Sequence, residues 1–253
     1  MNSTSHQNAL GQPIGLPLPQ WKPPPLPPRT PLSGRFCRIE PANVEHHAAD
    51  LFAANALDTS GAGWTYLLSG PFANIHDYRQ WLQSACAGDD RVVYAIIDLQ
   101  SQKAVGIASH LNIDPKNGTI EVGGLRYSPL MQRTPMSTEA MYLLMKRAFE
   151  LGYRRYEWKC NVLNAPSRAA AQRLGFSFEA VFRQATVSRN RNRDTAWLSI
   201  IDSEWPALET AFTRWLAPDN FDAEGKQRVS LSQLTAPLRM GSDLVRMESG
   251  LAK

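Results

Sequence analysis

The sequence predicts a mixed α/β (α+β) domain in which one central sheet is covered by helices. Three observations carry that prediction. Apolar residues recur at helical spacing in several separate stretches, strict alternation marks strands between them, and three strand signals follow one another directly in mid-chain. The 253 residues suffice for one large domain with tails, and 43% hydrophobic with 20% charged residues is the composition of a folded chain.

Residues 1–34 hold nine of the eighteen prolines, which blocks helix and favours an extended polyproline arm. Such an arm suits a strap across the domain, with Trp21 and its leucines as anchors, or a proline-rich ligand for a partner. Phe36 to Glu40 reads as a strand, and Asn43 to Ala54 as a helix with Asn43 as its cap. Gly61 to Pro71 is an aromatic loop. Asn74 to Ala85 is a second helix, because Ile75, Tyr78, Trp81, Leu82 and Ala85 share a face. Val92 to Leu99, Ala104 to Ile113 and Thr119 to Tyr127 form an antiparallel meander joined by turn residues. The helix from Ser137 to Leu151 carries the stripe Met141, Leu144, Met145 and Ala148 and ends at Gly152. Tyr156, Trp158, Cys160 and Val162 alternate with polar residues as a half-buried strand does. A short helix spans Pro166 to Leu174. A hairpin follows, with arms Glu179 to Val187 and Thr195 to Asp202 around a polar tip, and the last helix spans Ser203 to Trp215. Residues from Pro218 onward show no sustained period and read as a loosely structured extension.

No stretch approaches 18 apolar residues and the first thirty residues lack a signal-peptide core, so the expectation is a cytoplasmic protein without a membrane segment. Cys37, Cys86 and Cys160 have no C-x-x-C spacing and read as free thiols. His46, His47, His76 and His110 lack ligand spacing, so no metal is assigned. Between Arg126 and Arg193, thirteen basic residues face four acidic ones. That excess fits a phosphate-bearing small molecule better than nucleic acid, for which no basic-aromatic signature is present; a solvated basic face is the alternative.

Two segments point to chemistry. Tyr127 to Ala140 runs from a strand end through a loop into a helix start at Thr138-Glu139-Ala140, and a helix N-terminus binds phosphate through its unpaired N–H groups. Asn164 to Phe176 runs from a strand end through a turn carrying Asn164 and Ser167 to Leu174-Gly175-Phe176.

Together with the element order, these segments resemble the GNAT acetyltransferase superfamily, in particular its RimJ/RimL-like branch, over residues 35–216. The resemblance implies a GNAT fold: a central, mostly antiparallel, twisted sheet flanked by helices, with splayed strands forming an acetyl-CoA cleft. It divides the chain into an arm (1–34), a catalytic domain (35–216) and an extension (217–253). The implied activity is acetyl transfer from acetyl-CoA, without a metal, to a primary amine on a peptide or protein N-terminus or a small molecule. A homodimer is compatible with it. Gln132, Arg133, Thr134, Ser137 and Thr138 correspond to the pyrophosphate loop, with Arg133 and Pro135 where the family carries glycines. The edge from Leu125 to Tyr127 would pair with pantetheine. Ser167 would protonate the coenzyme sulfur, or else cap its helix; Asn164 would hold pantetheine, or serve the turn. The family branch's base position falls on Thr186, which cannot serve, so Glu121 is the substitute, with an exposed strand carboxylate as the alternative. Trp64 and Tyr66 are walls of the acceptor site or core residues. Arg193, with Arg189, Arg191 and Asp194 at the hairpin tip, selects an acidic or peptide-like acceptor or is a solvated turn charge. The rival function is a coenzyme-binding or regulatory protein of the same fold without turnover.

Overall fold

The computed structural model describes residues 6–240. The arm opens with a two-residue ladder, β1 (His6–Gln7) against β2 (Pro13–Ile14), and ends in β3 (Leu32–Ser33). The domain then runs β4 (Cys37–Pro41), α1 (Val44–Ala56), α2 (Ile75–Cys86), β5 (Val92–Asp98), β6 (Ala104–Asp114) and β7 (Thr119–Tyr127). It continues with α3 (Pro135–Glu150), β8 (Arg155–Asn161), α4 (Ala165–Arg173), β9 (Ser177–Ser188), β10 (Arg191–Ile201), α5 (Trp205–Leu216) and α6 (Leu231–Thr235). Strands β3 to β10 form one eight-stranded sheet in the order β3-β4-β5-β6-β7-β8-β10-β9, antiparallel at every pairing except β7 with β8.

Alternation in β5 builds both layers at once. Tyr94 and Ile96 pack on one face with Met141, Leu144 and Met145 of α3 and Leu208 and Phe212 of α5. Val93, Ala95 and Ile97 pack on the other with Leu51 of α1 and Tyr78 and Leu82 of α2. Each such side chain, taken fully from water, contributes about 1.5–3 kcal/mol. Asn43 and Asn74 cap α1 and α2 by accepting from the N–H groups of His46 and Asp77.

The cleft originates in the sheet itself. Thr119–Val122 of β7 pair with Arg155–Trp158 of β8, and there the ladder stops although both strands continue. On its other side β7 is bulged: Ser109 faces Gly123 and Ile107 faces Arg126, so Gly124 and Leu125 share one opposing residue. Gly124 takes φ +59, a left-handed value that a bulge of this kind favours in glycine. The bulge turns the end of β7 away from β8, leaving one edge of Gly123 to Tyr127 unladdered.

Several expectations are corrected. The hairpin tip is the two-residue turn Arg189-Asn190, with φ +50 and +57, not a seven-residue polar loop; the strands pair to its ends because both central residues adopt the mirror-turn conformation that matches strand twist. α3 begins at Pro135, two residues before Ser137, since proline at the first helical position gives up an N–H that has no helical partner there. The segment 218–240 is not loosely structured. Asn220, 2% exposed, donates to the Trp215 and Val229 carbonyls and accepts from the Val229 N–H, Leu231 is fully buried, and Ser230 with Gln233 closes a capping box on α6. Its elements are too short to show a period. The remainder of the expected extension, residues 241–253, lies outside the described residues.

The arm lies against the domain. Tyr153 donates its hydroxyl to the Pro25 carbonyl at 3.1 Å, Arg147 reaches Thr30 Oγ1 at 3.1 Å, and Trp21 sits under the Arg154 guanidinium and over Gly118.

Candidate active site

A cleft of about 1300 Å³ opens between the parted ends of β7 and β8, lined by Glu121, Leu125, Tyr127, Gln132, Arg133, Thr134, Ser137, Thr138, Asn164, Ser167, Trp64, Tyr66 and Arg193, whereas Thr186, Arg189, Arg191 and Asp194 lie outside it. Their surroundings separate their capabilities.

At one end stands the start of α3. Thr134 is the N-cap residue, but its hydroxyl donates to the Met131 carbonyl at 2.7 Å, and no side chain caps the first turn. The N–H groups of Met136 and Ser137 belong to those a helix leaves without an internal partner. Arg133, in a glycine position of the resemblance, keeps the left-handed backbone with φ +60, so the loop retains the path that glycine would give it. Ser137 donates to the Thr134 carbonyl. Thr138 is buried and accepts from Arg173 Nη1 at 2.9 Å. Arg173, which the sequence reading passed over, extends from α4 with its guanidinium against the Trp215 ring; burial lowers its pKa, and no carboxylate pairs with it among the described residues. Its only sequence signal is its place just ahead of Leu174-Gly175-Phe176.

Ser167 lines the same cleft as Gly123 to Tyr127 of β7. The cap of α4 is Asn164, whose Oδ1 accepts from the Ser167 N–H at 3.2 Å. The Ser167 hydroxyl is therefore not the cap, and the Asn164 side-chain oxygen serves the helix while its Nδ2 remains available. The Ser167 Oγ instead accepts from the indole of Trp158 at 3.1 Å. Cys160 lies beside it, its thiol pushed up by burial. Tyr127 lines the cleft, but its buried hydroxyl has no hydrogen-bond partner among the described residues, and burial holds it far above its usual range.

At the other end Glu121 is 6% exposed, and its Oε2 accepts from Lys159 Nζ at 2.9 Å and from Asn112 Nδ2 at 2.7 Å. It is thus a paired, buried carboxylate rather than an exposed one. Its Oε1 faces the space a Cβ on Gly123 would enter, and no hydrogen bond reaches it among the described residues. Lys159 also holds Glu157 at 2.8 Å; burial opposes its charge, but the hydrogen bonds to Glu157 and Glu121 raise its pKa and keep it cationic. Thr186 is exposed on β9 opposite Arg193.

The aromatic loop is pinned twice. Arg126, 3% exposed, reaches Asp58 at 3.1 Å and stacks on Trp64 at 4.3 Å, while Asp58 also accepts from the Gly63 N–H. Burial works against the Asp58 charge, yet the bonds from Gly63, Ser60 and Arg126 hold its carboxyl below the usual range. Arg189 donates to the Ser69 and Gly70 carbonyls, so it fastens the hairpin tip to this loop and is not a free selector; Asp194 is likewise engaged, by the Gln184 N–H. Trp64 is 4% exposed and belongs to the core while still edging the cleft; Tyr66 is half-buried. Cys37, Cys86 and Cys160 are free thiols. Among the described residues no three His, Cys, Asp or Glu side chains gather as a metal site, and no helix is long and apolar enough to cross a membrane.

The family model described as an acetyltransferase (GNAT) domain matches residues 38–177. A GCN5-related N-acetyltransferase from Brucella melitensis is 45% identical, with a TM-score of 0.85, over 87% of this chain and 100% of that one. A protein from Chromobacterium violaceum, described as a probable acetyltransferase of the GNAT family, is 38% identical with a TM-score of 0.73 over 78% and 98% of the two chains. The microcin C7 self-immunity acetyltransferase MccE, solved in complex with acetyl-CoA and AMP, shares the fold at 20% identity and a TM-score of 0.57 over 66% and 93%. No curated protein matches the chain.

Proposed function

Because this chain belongs to the GNAT acetyltransferase family, we propose that it moves the acetyl group of acetyl-CoA onto a primary amine by direct attack on the thioester. The observation that carries the reading is the juxtaposition, in one cleft, of an uncapped helix start, an unladdered strand edge and a serine hydroxyl oriented by an indole N–H. The residues suit the coenzyme: the left-handed backbone at Arg133 keeps the loop open to phosphate, and the half-buried Arg173 has no acidic partner among the described residues to compete with one.

Acetyl-CoA supplies the activated thioester. The N–H groups of Met136 and Ser137, with the Arg133 and Arg173 guanidinium groups, hold the diphosphate through charge-assisted hydrogen bonds. The free edge from Leu125 to Tyr127 aligns the pantetheine amides and offers an N–H to the thioester carbonyl, where negative charge develops. Glu121 Oε1 takes the proton of the attacking amine, directly or through water, and Ser167 gives a proton to the departing sulfur. Trp64, Tyr66 and Arg193 border the acceptor. Within the family, the pairing of Asn164 and Ser167 with Leu174-Gly175-Phe176 favours the RimJ/RimL-like branch, whose acceptors include peptide N-termini. The engagement of Glu121 by Lys159 favours one alternative, a coenzyme-binding protein without turnover.

Calorimetric titration with acetyl-CoA, followed by thiol release over amino acids, polyamines, aminoglycosides and short peptides with free N-termini, tests the reading. Binding with release in at least one class is the expected outcome. Binding with no release across the panel favours the non-catalytic alternative, and absence of binding at millimolar coenzyme removes both.

A further inference from the structure

We propose that Trp158 is a positioning residue that presets Ser167 as a proton donor; the inference rests on the acyl-transfer reading above and adds a second residue to its acid step. An indole N–H can only donate, so in the 3.1 Å contact between Trp158 Nε1 and Ser167 Oγ the serine oxygen must accept. One lone pair of the hydroxyl is thereby fixed, and its hydrogen is left for donation, with the neighbouring Cys160 sulfur as the competing acceptor inside the protein. Accepting from the indole also polarises the O–H bond, which strengthens it as a donor.

The geometry of the indole is set by parts of the fold that have no other evident task at the site. Trp158 is the last β8 residue laddered to β7, opposite Val122, so its backbone marks the apex where the strands part. Its ring is 4% exposed and meets the edge of Phe176 at 5.5 Å and 68°. Phe176 is held at the end of α4 by the tight approach of Gly175 to Leu208, where a Cβ would come within 2.4 Å. The serine backbone is fixed independently, by the Asn164 carbonyl oxygen. Leu174-Gly175-Phe176 and the Asn164 to Ser167 turn thus converge on one hydroxyl from two sides.

In the step itself the amine nitrogen bonds to the acetyl carbon, the carbon–sulfur bond breaks with its electron pair going to sulfur, and the Ser167 O–H proton passes to that sulfur. Glu121 takes the proton released by the amine and passes it on through cleft water to the serine oxygen, so both residues return to their starting states. Trp158 exchanges no proton and touches no reacting atom.

Trp158→Phe keeps a ring against Phe176 and removes the N–H. Thiol release by this variant should fall about tenfold in kcat, with the calorimetric Kd for acetyl-CoA unchanged. The decisive comparison is a double-mutant cycle: in a Ser167→Ala background, Trp158→Phe should cost nothing further. Should the phenylalanine variant fold poorly, benzothienylalanine at position 158 supplies an isosteric ring with sulfur in place of N–H and the same expectation. Turnover within twofold of the parent, or equal losses with and without the serine hydroxyl, overturns the assignment while leaving acyl transfer standing. A parent chain that binds acetyl-CoA but releases no thiol with any amine overturns the acyl-transfer reading and this assignment together.

Discussion

Thr138, Glu139 and Ala140, adjacent in the chain, do three unrelated things. Thr138 accepts from Arg173 at the cleft end, Ala140 is fully buried beneath the sheet, and the Glu139 carboxylate receives the N–H groups of Arg35, Phe36 and Cys37 at 2.7, 2.7 and 2.9 Å. The last contact ties the start of β4 to α3 across about a hundred residues, and Gly34 is required beside it because a Cβ would lie 2.3 Å from the carboxyl carbon. Glu139→Ala leaves three N–H groups unsatisfied and should cost about 3 kcal/mol in urea unfolding. Ser167 carries the chemical prediction at this scale. Ser167→Ala should slow thiol release by at least about tenfold while acetyl-CoA binds as before, because Asn164 rather than the serine hydroxyl caps α4. Equal rates for parent and variant would refute the acid role.

The loop into α3 shows how an element can keep its shape after losing the residue that makes the shape easy. Arg133 holds a left-handed backbone at a cost of about 1–2 kcal/mol, and brings a cation to the end of the cleft in return. Arg133→Gly separates the two effects. The variant should melt higher, by a shift corresponding to about 1 kcal/mol, and should bind acetyl-CoA several-fold more weakly with a shallower salt dependence. A variant that melts higher and binds equally well would take Arg133 out of the phosphate site. The β7–β8 pair is the other element with a consequence. Its ladder ends at Val122 and Trp158, so the opening of the cleft is built into the backbone.

Stability of the whole molecule draws on both the core and the arm. His110 is fully buried between the Tyr94 and Tyr156 hydroxyls, and burial pushes its pKa down from 6.5 to about 3. Between those values the unfolded chain binds a proton that the native protein does not. Stability from this site is therefore complete above about pH 6.5 and declines by about 1.4 kcal/mol per unit as pH falls toward 3. His110→Gln should remove that slope from the pH dependence of urea unfolding, while an unchanged slope would assign it to other groups. The arm contributes through Pro24 and Pro27, both buried, and through the Tyr153 and Arg147 contacts. Deleting residues 1–30 should lower Tm by several degrees, at about 2–4 °C per kcal/mol lost. An unchanged Tm together with loss of a co-purifying partner would instead make the arm a ligand.

Much of this was determined by local sequence alone. The 3.6-residue stripe of α3, the alternation of β5 and β8, the Asn43 cap and the order of elements follow from periodicity and capping, which act over a few residues and so can be read directly from the chain. The residues of the cleft were legible by a different route, through the resemblance of the Tyr127–Ala140 and Asn164–Phe176 segments to the GNAT family. Tertiary structure decided which partner each of them has. Strand register places Lys159 against Glu121, helix packing carries Arg173 to Thr138, and the segment 218–240 gains its order from burial of Leu231 and Asn220. Each of those contacts joins residues distant in the chain, where the energy lies in desolvation and hydrogen-bond geometry that no local pattern records.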